Sequence, residues 1–396
     1  MIRDCFFCNN HVEVVFSSKW DLPGLPSSEI GFSVCPNCGS VCQNPTVTYD
    51  QMLTFCRTIA VYTNPGRVGQ PTATKVTDLN EQLSFIERGI GHLPRNVLQL
   101  GSSDGYSLSR FKAAGVDRVL GLEPSKASAK LAREPYNIET LEDSAENFDT
   151  DENFELILLT HVLEHLLYPQ KILEKCFKLQ QLTVEGFIYV EVPLLANLES
   201  LAPGFFTFEH VNYYTRQNLI KSLQSAGYSV VSVIEHYKSN LSPVIGVLAS
   251  TQKQKHIDDT PFNEYEQNKA ILEHYRVTEL NNWQQKLNKI LPALLNSKRL
   301  FLWGAGIHTS QLIANTNLLN VCKISAITDS SNLKWGVQQG DWICKNPNCI
   351  NWKRGDVILI SSYASEKEIH DELAHLREIG VETYRLHNCD NARSIV

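Results

Sequence analysis

The sequence predicts an α/β protein with a central, largely parallel sheet, a small cysteine-rich module before it and a second α/β domain after it. Three observations predict this plan: short apolar runs that alternate with helical stretches, two closely spaced cysteine pairs near the N-terminus, and two glycine-bearing turns that each follow a buried strand. The chain of 396 residues also exceeds the size at which one hydrophobic core stops growing. We therefore expect several domains.

Composition and charge exclude several classes of protein. Hydrophobic residues make up 43% of the chain and charged residues 20%, which argues against disordered, collagen-like and membrane proteins. A net charge of -7 without long runs of one sign offers no basic surface for nucleic acid. The chain carries neither an apolar N-terminal signal nor a stretch that could span a membrane, so we expect a cytoplasmic protein. The sequence leaves open whether it is a monomer or a homodimer.

Four segments differ in their pattern, and we expect each to be a separate unit. Residues 1–60 are rich in Cys, Asn, Gly and Pro with little periodicity, which predicts a loop-rich module held by a metal. Residues 61–250 alternate predicted strands and helices, and residues 251–296 predict a linking pair of helices. Residues 297–396 repeat the strand-and-helix rhythm and predict a second α/β domain.

The N-terminal module carries two C-x2-C pairs. Cys5 and Cys8 form the first pair, Cys35 and Cys38 form the second, and together they can present four thiolates to one tetrahedral zinc ion. Four thiolates leave no coordination position open, so we expect a structural rather than a catalytic metal. The alternative is that these are four unrelated cysteines of a reducing compartment.

The first glycine-bearing turn predicts a ligand site. A short apolar strand at residues 97–100 runs into Gly101 and Gly105, which let the backbone approach a ligand at the carboxyl end of the strand. Glu123 ends the next apolar strand, where a carboxylate can accept hydrogen bonds from both hydroxyls of a ribose. The turn alone would also fit a plain connection between a strand and a helix.

Two later segments bring histidines to the same edge of the predicted sheet. His161 and His165 follow the fourth strand, and Glu209 and His210 follow the fifth. Because histidine is the side chain best suited to proton transfer near neutral pH, His210 is the first candidate base, with Glu209 to orient it and His165 as the second candidate. The alternative for the second segment is a surface loop that packs its aromatic side chains.

The first of these segments also has the H-x-x-E-H spacing of an inverted zinc-protease helix. Such a protease needs a long helix and a further carboxylate ligand, whereas this segment opens directly from a strand and reaches Pro169 within two turns. We therefore do not expect a metalloprotease.

From residue 96 to residue 250 these motifs resemble the class I S-adenosylmethionine-dependent methyltransferases. The resemblance implies a Rossmann-like central domain that binds S-adenosylmethionine, with His161 lining the methyl-donor pocket. The family usually has Glu or Asp at the position held here by Gln99. The cofactor contacts that the resemblance implies are Gln99, Gly101, Ser102, Asp104, Gly105, Glu123, Ser144, Ala145 and His161.

The Glu-His pair, the four cysteines and the C-terminal domain also resemble, in their order along the chain, the nucleotide-sugar C-methyltransferases. The resemblance implies a nucleotide-linked sugar as acceptor, a zinc-binding N-terminal module and a Rossmann-like C-terminal domain that contributes to the substrate cleft. Those enzymes usually carry a tyrosine where this chain has Thr207, and a catalytic tyrosine for which Tyr62 is the candidate. The residues do not choose between methylation of carbon and of oxygen.

The second glycine-bearing turn supports a rival function. Gly304 and Gly306 follow a strand, and Asp329 ends the next one, as in an NAD-dependent sugar oxidoreductase or epimerase. Thr309 replaces the third glycine of the dinucleotide motif, and no Tyr-x-x-x-Lys pair accompanies it. The turn could instead receive a substrate phosphate on the amides of the helix N-terminus. A non-catalytic scaffold stabilised by zinc is the third alternative.

Overall fold

The computed structural model describes residues 1–59, 71, 73–181, 183–201, 204–237, 242–252, 263–363 and 365–387. Tyr62, the candidate catalytic tyrosine, lies outside these residues. Among the described residues, no helix combines the length and the apolar character that crossing a membrane requires.

The N-terminal module is built on a β-hairpin, so the expectation of a loop-rich segment was wrong. Strands β1 (Glu13–Trp20) and β2 (Ser28–Val34) pair antiparallel, β3 (Val41–Gln43) pairs with β2, and helix α1 (Tyr49–Thr54) follows. The side chains of Trp20 and Phe32 are at most 1% exposed and anchor the core of this module. The strands were hard to see in the sequence because polar residues and cysteines interrupt their apolar pattern.

The central domain contains a largely parallel sheet, as the sequence predicted, and the sheet has seven strands. The strands β4 to β8 run parallel, and β11 lies antiparallel between β8 and β10, giving the order β10-β11-β8-β7-β4-β5-β6. In chain order its elements are α2 (Ala73–Ile90), β4 (Asn96–Leu100), α3 (Tyr106–Ala114), β5 (Arg118–Leu122), α4 (Lys126–Tyr136), β6 (Thr140–Leu141), β7 (Leu156–Thr160), α5 (Pro169–Gln180), β8 (Phe187–Pro193), β9 (Asn212–Tyr213), α6 (Arg216–Ser225), β10 (Ser229–His236) and β11 (Val244–Ser250).

Apolar residues on both faces of this sheet explain why its strands read as continuous apolar runs. Leu98 and Leu100 of β4 pack with α5 and α6 on one face, whereas Val97 packs with α2 and α3 on the other. The carboxyl ends of β4, β5, β7 and β8 consequently meet at one edge, which is where open α/β sheets bind their ligands.

Within the described residues 263–296 the linker forms one helix, whereas the sequence predicted a pair of helices over residues 251–296. Helix α7 (Tyr265–Leu295) continues through Pro292, which lies in its last turn. A proline so close to the end of a helix removes only one backbone hydrogen bond, and the buried side chains of Ile290 and Leu294 hold both sides of it in the C-terminal core. The first half of α7 packs on the N-terminal module through Leu272.

The C-terminal domain contains four parallel strands in the order β13-β12-β16-β17 and a small two-stranded ribbon, β14-β15. The strand order reverses direction at β12, and such a switch point opens a crevice at the carboxyl ends of the strands. Its elements are β12 (Arg299–Trp303), α8 (Ile307–Asn315), α9 (Leu318–Val321), β13 (Ile324–Thr328), β14 (Gln338–Gln339), β15 (Trp342–Ile343), β16 (Asp356–Ile360), α10 (Glu366–Glu372), α11 (Ala374–Glu378) and β17 (Glu382–Arg385).

The N-terminal module contacts both of the other domains. Strand β9, which follows β8 of the central sheet in the chain, pairs with β3 and completes a four-stranded sheet. At the tip of the hairpin, the Asp21 amide donates to the Ser310 hydroxyl at 2.9 Å, and the Gly24 amide donates to the Gln338 carbonyl at 2.8 Å. The domain boundaries predicted at residues 60, 250 and 296 stay predictions.

Candidate functional site

The turn between β4 and α3 has a backbone that side chains would block. Gly101 has φ 69°, and a Cβ built on it would lie 2.4 Å from Cγ2 of Val162. Ser103 also has a positive φ of 50°, and Gly105 is the N-cap of α3. A turn with positive φ angles and a glycine at each end, at the carboxyl edge of a parallel sheet, is suited to a closely bound ligand.

Glu123 points at this turn. Its Oε2 accepts from the Ser103 amide at 2.9 Å, and its Oε1 accepts from the Ser125 amide at 2.8 Å. The residue is 9% exposed, and burial raises the pKa of its carboxyl in spite of these two hydrogen bonds. Each carboxylate oxygen has a further lone pair, so the group can still accept from two hydroxyls.

Three more of the predicted cofactor contacts surround the turn. Asp104 accepts from the Tyr106 amide at 3.2 Å and forms an ion pair with Lys75 at 3.2 Å. The side-chain oxygens of Gln99 and Ser102 are buried, and among the described residues they have no hydrogen-bond partner. Buried polar atoms without a partner are uncommon in folded proteins, and a polar ligand would satisfy them.

Ser144 and Ala145 follow β6 and are both buried. The Ser144 hydroxyl lies 2.7 Å from the Tyr49 hydroxyl, which belongs to α1. The N-terminal module therefore reaches the part of the central domain where the resemblance places the adenine.

His161 lies directly after β7 with a left-handed backbone of φ 54°. Its Nδ1 lies 3.4 Å from Glu164, and its Nε2 lies 3.5 Å from Glu191. Desolvation lowers the pKa of this imidazole, but the two carboxylates outweigh it and raise the pKa to about 8. The His161 imidazole is therefore mostly protonated at pH 7, which places a cation at the carboxyl edge of the sheet.

Glu164 is the centre of the histidine cluster, although the sequence patterns assigned it no catalytic or binding role. Its side chain is 2% exposed, and its Oε1 lies 3.9 Å from Nε2 of His165. One side-chain nitrogen or oxygen from each of Glu164, His165 and His210 lies within 4.8 Å of the others. Desolvation raises the pKa of Glu164, but the neighbouring imidazoles outweigh it and lower the pKa, so the group is a buried carboxylate.

His165 and His210 face each other, with ring centroids 5.0 Å apart. His165 Nδ1 donates to the Glu209 carbonyl at 3.0 Å, which leaves its Nε2 towards Glu164. Desolvation, with a contribution from His165, lowers the pKa of His210 to about 3, so this imidazole is neutral at pH 7. The two candidate bases predicted from the sequence therefore lie together.

Glu209 lies between the histidine cluster and a neighbouring cleft. The carboxylate that lies in the cluster with His210 is that of Glu164, while the Glu209 carbonyl holds His165. Glu209 also lines a cleft of about 790 Å³ that the glycine turn of the C-terminal domain borders. That Glu209 orients His210 stays a prediction.

The second turn, between β12 and α8, is held by Asp329. The carboxylate accepts from the Ala305 amide at 2.7 Å and from the Ser331 amide at 2.8 Å, and it pairs with Lys334 at 2.9 Å. The cleft extends from this turn to Glu209. The C-terminal glycine turn therefore borders the same cleft as Glu209, whose carbonyl accepts from His165 of the histidine cluster.

The four predicted metal ligands form a compact cluster. The Cys5 and Cys38 sulfurs lie 3.7 Å apart, and the Cys8 sulfur lies 3.5 Å from those of Cys35 and Cys38. A tetrahedral ion with bonds of about 2.3 Å spaces its sulfur ligands by about 3.8 Å. The geometry fits the donor set that structural zinc prefers.

Comparisons with known proteins agree with the central fold. Residues 75–233 match a family model described as a methyltransferase domain, and residues 296–387 match one described as C2185-like, N-terminal. No curated protein matches the chain. The methyltransferase match includes the first glycine turn, Glu123 and the histidine cluster, and the chain is an S-adenosylmethionine-dependent methyltransferase.

Solved structures of methyltransferases are also similar to the chain. The 1,6-didemethyltoxoflavin-N1-methyltransferase of Burkholderia thailandensis, with bound S-adenosylhomocysteine, is 15% identical, with a TM-score of 0.41 over 59% of this chain and 100% of its own. The N-methyltransferase NodS of Bradyrhizobium japonicum, also with S-adenosylhomocysteine, is 13% identical, with a TM-score of 0.39 over 49% of this chain and 95% of its own.

Proposed function

We propose that this enzyme transfers the methyl group of S-adenosylmethionine to a nucleotide-linked sugar, on carbon or on oxygen. The observation that carries the proposal is the position of Glu209. Its carbonyl holds His165 of the histidine cluster, and the same residue lines the cleft that reaches the C-terminal glycine turn. An acceptor that lies between the cluster and that turn must be long, as a sugar with an attached nucleotide is.

We propose that the first glycine turn binds the donor. Glu123 accepts from the ribose hydroxyls, Ser144 and Ala145 lie against the adenine, and the amino-acid end lies near Gln99 and Asp104. The unpartnered oxygens of Gln99 and Ser102 support this assignment because a polar ligand would pair with them.

The methyl sulfonium needs no further activation, so the protein aligns the acceptor and takes its proton. The carbon–sulfur bond breaks with its electron pair going to sulfur, while the acceptor carbon or oxygen forms the new bond to the methyl group. We propose His210 as the proton acceptor, because its imidazole is neutral at pH 7, with Glu209 to orient it. His165 holds the acceptor oxygen or stabilises an enolate.

The second glycine turn is proposed to bind a phosphate of the acceptor. Backbone amides at the N-terminus of α8 face the cleft with Lys334, and both favour an anion. The oxidoreductase alternative is less well supported, because the carboxylate that would bind the ribose of NAD already pairs with Lys334.

We propose that the four cysteines hold a structural zinc ion. Cys38→Ser should abolish stoichiometric zinc in metal analysis of the purified protein and lower its melting temperature. As a matched control, Cys176→Ser changes a buried cysteine that packs in the central core, and it should leave the zinc content unchanged. Purified wild-type protein without zinc would contradict the proposal.

The acceptor is tested by incubating the protein with labelled S-adenosylmethionine, a panel of nucleotide sugars and the same sugars without the nucleotide. We expect methyl transfer only to nucleotide-linked sugars. His210→Ala should reduce the rate about 100-fold or more, which is the usual contribution of a general base. His92→Ala, at a histidine paired with Glu155 on the opposite edge of the sheet, is the control that should retain activity.

Calorimetry with S-adenosylmethionine and with NAD separates the two enzyme classes, since only the former should bind. Tight binding of the methyl donor with no transfer to any sugar would support the assignment as a methyltransferase and contradict the proposal of a sugar acceptor.

A further inference from the structure

Glu164 is a buried carboxylate with an unusual environment. Both of its oxygens are inaccessible to solvent, and within the described residues neither has a well-formed hydrogen bond. Its nearest side-chain nitrogens belong to His161 at 3.4 Å and His165 at 3.9 Å, which is too long for a strong hydrogen bond. The Nδ1 atom of His210 is also buried and without a partner.

Burying a carboxylate costs several kcal/mol unless positive charge or hydrogen bonds compensate it. Here the compensation available is three imidazoles, each of which gains a positive charge only when it binds a proton. From other elements, the Glu191 carboxylate of β8 lies beyond His161, and the buried, neutral Tyr214 hydroxyl lies close enough to interact with the Glu164 charge. The Glu164 charge therefore opposes the desolvation that disfavours a proton on these histidines.

We infer that Glu164 is a positioning residue for methyl transfer, whose fixed charge stabilises the imidazolium that forms when a histidine of the cluster takes the proton of the acceptor. The inference rests on the proposed function. The proton moves from the acceptor carbon or oxygen to an imidazole nitrogen, and Glu164 stays ionised throughout. The gap of 3.9 Å between Glu164 and His165 closes into a charge-assisted hydrogen bond once that imidazole is charged.

Backbone contacts between the segment after β7 and the loop that carries His210 support this role. The Glu164 carbonyl accepts from the Val211 amide at 2.8 Å, and His165 binds the Glu209 carbonyl. The segment after β7 and the loop that carries His210 are thus joined at the backbone on both sides of the carboxylate. This arrangement keeps the charge at a constant distance from both candidate bases.

The first test needs no acceptor. Histidine resonances of isotope-labelled protein are titrated by NMR in the wild type, in Glu164→Gln and in Glu155→Gln. Glu155 is a matched control, because it is also a buried carboxylate paired with a histidine, His92, but it precedes β7 instead of following it. Glu164→Gln should lower the midpoint of His161 by about 1 pH unit or more, and Glu155→Gln should leave it unchanged. Equal midpoints in all three proteins would overturn the inference.

The second test uses the acceptor identified in the sugar panel. Glu164→Gln should lower kcat by about 10- to 100-fold with the donor KM within about twofold, and Glu164→Asp should recover part of the loss. An unchanged kcat would overturn the inference, as would a rate that depends on added Mg²⁺ or Mn²⁺, because the three side chains would then act as metal ligands. If no sugar is methylated, the proposed acceptor is wrong, and the NMR titration still decides whether Glu164 stabilises a charged histidine.

Discussion

The chain contains the same arrangement of a turn and an acid twice, with different partners. Glu123 and Asp329 each follow the second strand of a parallel sheet, and each accepts from an amide of the glycine turn and from the amide two residues after itself. Both residues are 9% exposed. The difference is Lys334, whose ammonium group pairs with Asp329, whereas the pKa of Glu123 is governed by burial and two backbone amides.

This difference separates two uses of one scaffold. The Glu123 carboxylate has no ion pair among the described residues and can accept from the hydroxyls of a ligand. The Asp329 carboxylate forms an ion pair with Lys334. The second turn therefore presents amides and a cation to its cleft instead of a carboxylate. A hydroxyl-bearing ligand suits the first turn, and an anionic one suits the second.

The largest expected effect comes from exchanging the acids for their amides. Glu123→Gln should raise the Kd for S-adenosylmethionine about 100-fold, because a hydrogen bond to a charged acceptor contributes about 1.5–3 kcal/mol. Asp329→Asn should leave this Kd within about twofold. Calorimetry measures both, and equal losses in the two variants would erase the distinction between the turns.

The glycines test the same distinction with a smaller effect. Gly101→Ala places a methyl group 2.4 Å from Val162 at a positive φ, and should weaken donor binding about 30-fold, or about 2 kcal/mol. Gly304 also has a positive φ, of 115°, but the atom nearest to a methyl group there would be the Ser361 hydroxyl, at 3.1 Å. Gly304→Ala should therefore leave donor binding unchanged, and weakening of similar size would mean that both turns contact the donor.

Lys334→Ala sharpens the comparison from the side of the C-terminal domain. Removing the cation should raise the KM for the nucleotide sugar about 10-fold, because a charge-assisted contact to phosphate is lost, while the Kd for the methyl donor stays constant. Steady-state kinetics with each substrate varied in turn measures both. An unchanged acceptor KM would remove the phosphate from the second turn.

The smallest expected effect is a pH dependence confined to the first turn. The pKa of Glu123 is raised by burial, and donor binding needs its ionised form to accept from two hydroxyls. The affinity for S-adenosylmethionine should therefore be complete above that pKa and fall as the pH drops through it. Calorimetry with Glu123→Gln, in which this dependence should vanish, is the control.

The central domain could be predicted from the sequence because its signals are local. Buried parallel strands such as β4 read as apolar runs, and Glu123 lies at the end of β5 in the sequence itself. The hairpin of the N-terminal module was missed because its polar residues hide the apolar pattern of β1. The pairing of β9 with β3 joins residues far apart in the chain, which no short-range pattern specifies.

The histidine cluster was predicted only in part. His161, His165 and His210 were selected as residue types, but the direction of each side chain depends on the short turn after β7. In that turn Glu164 faces inward between His161 and His165, and the only signal was its place within the H-x-x-E-H spacing. That Glu209 orients its neighbour His210 stays a prediction, while the Glu164 carboxylate, which also lies near His210, comes from a different loop.

The shared sheet of the N-terminal module has a consequence for synthesis on the ribosome. Strands β1 to β3 are made before their partners: the free edge of β3 stays uncovered until residues 212–213 have been translated, and the tip of the hairpin makes its contacts with Ser310 and Gln338 later still. The N-terminal module is thus completed only after the central domain has been made. Until then its open strand edge is exposed to pairing with other nascent chains, and capture of a metal by the four cysteines would keep the half-built sheet in shape.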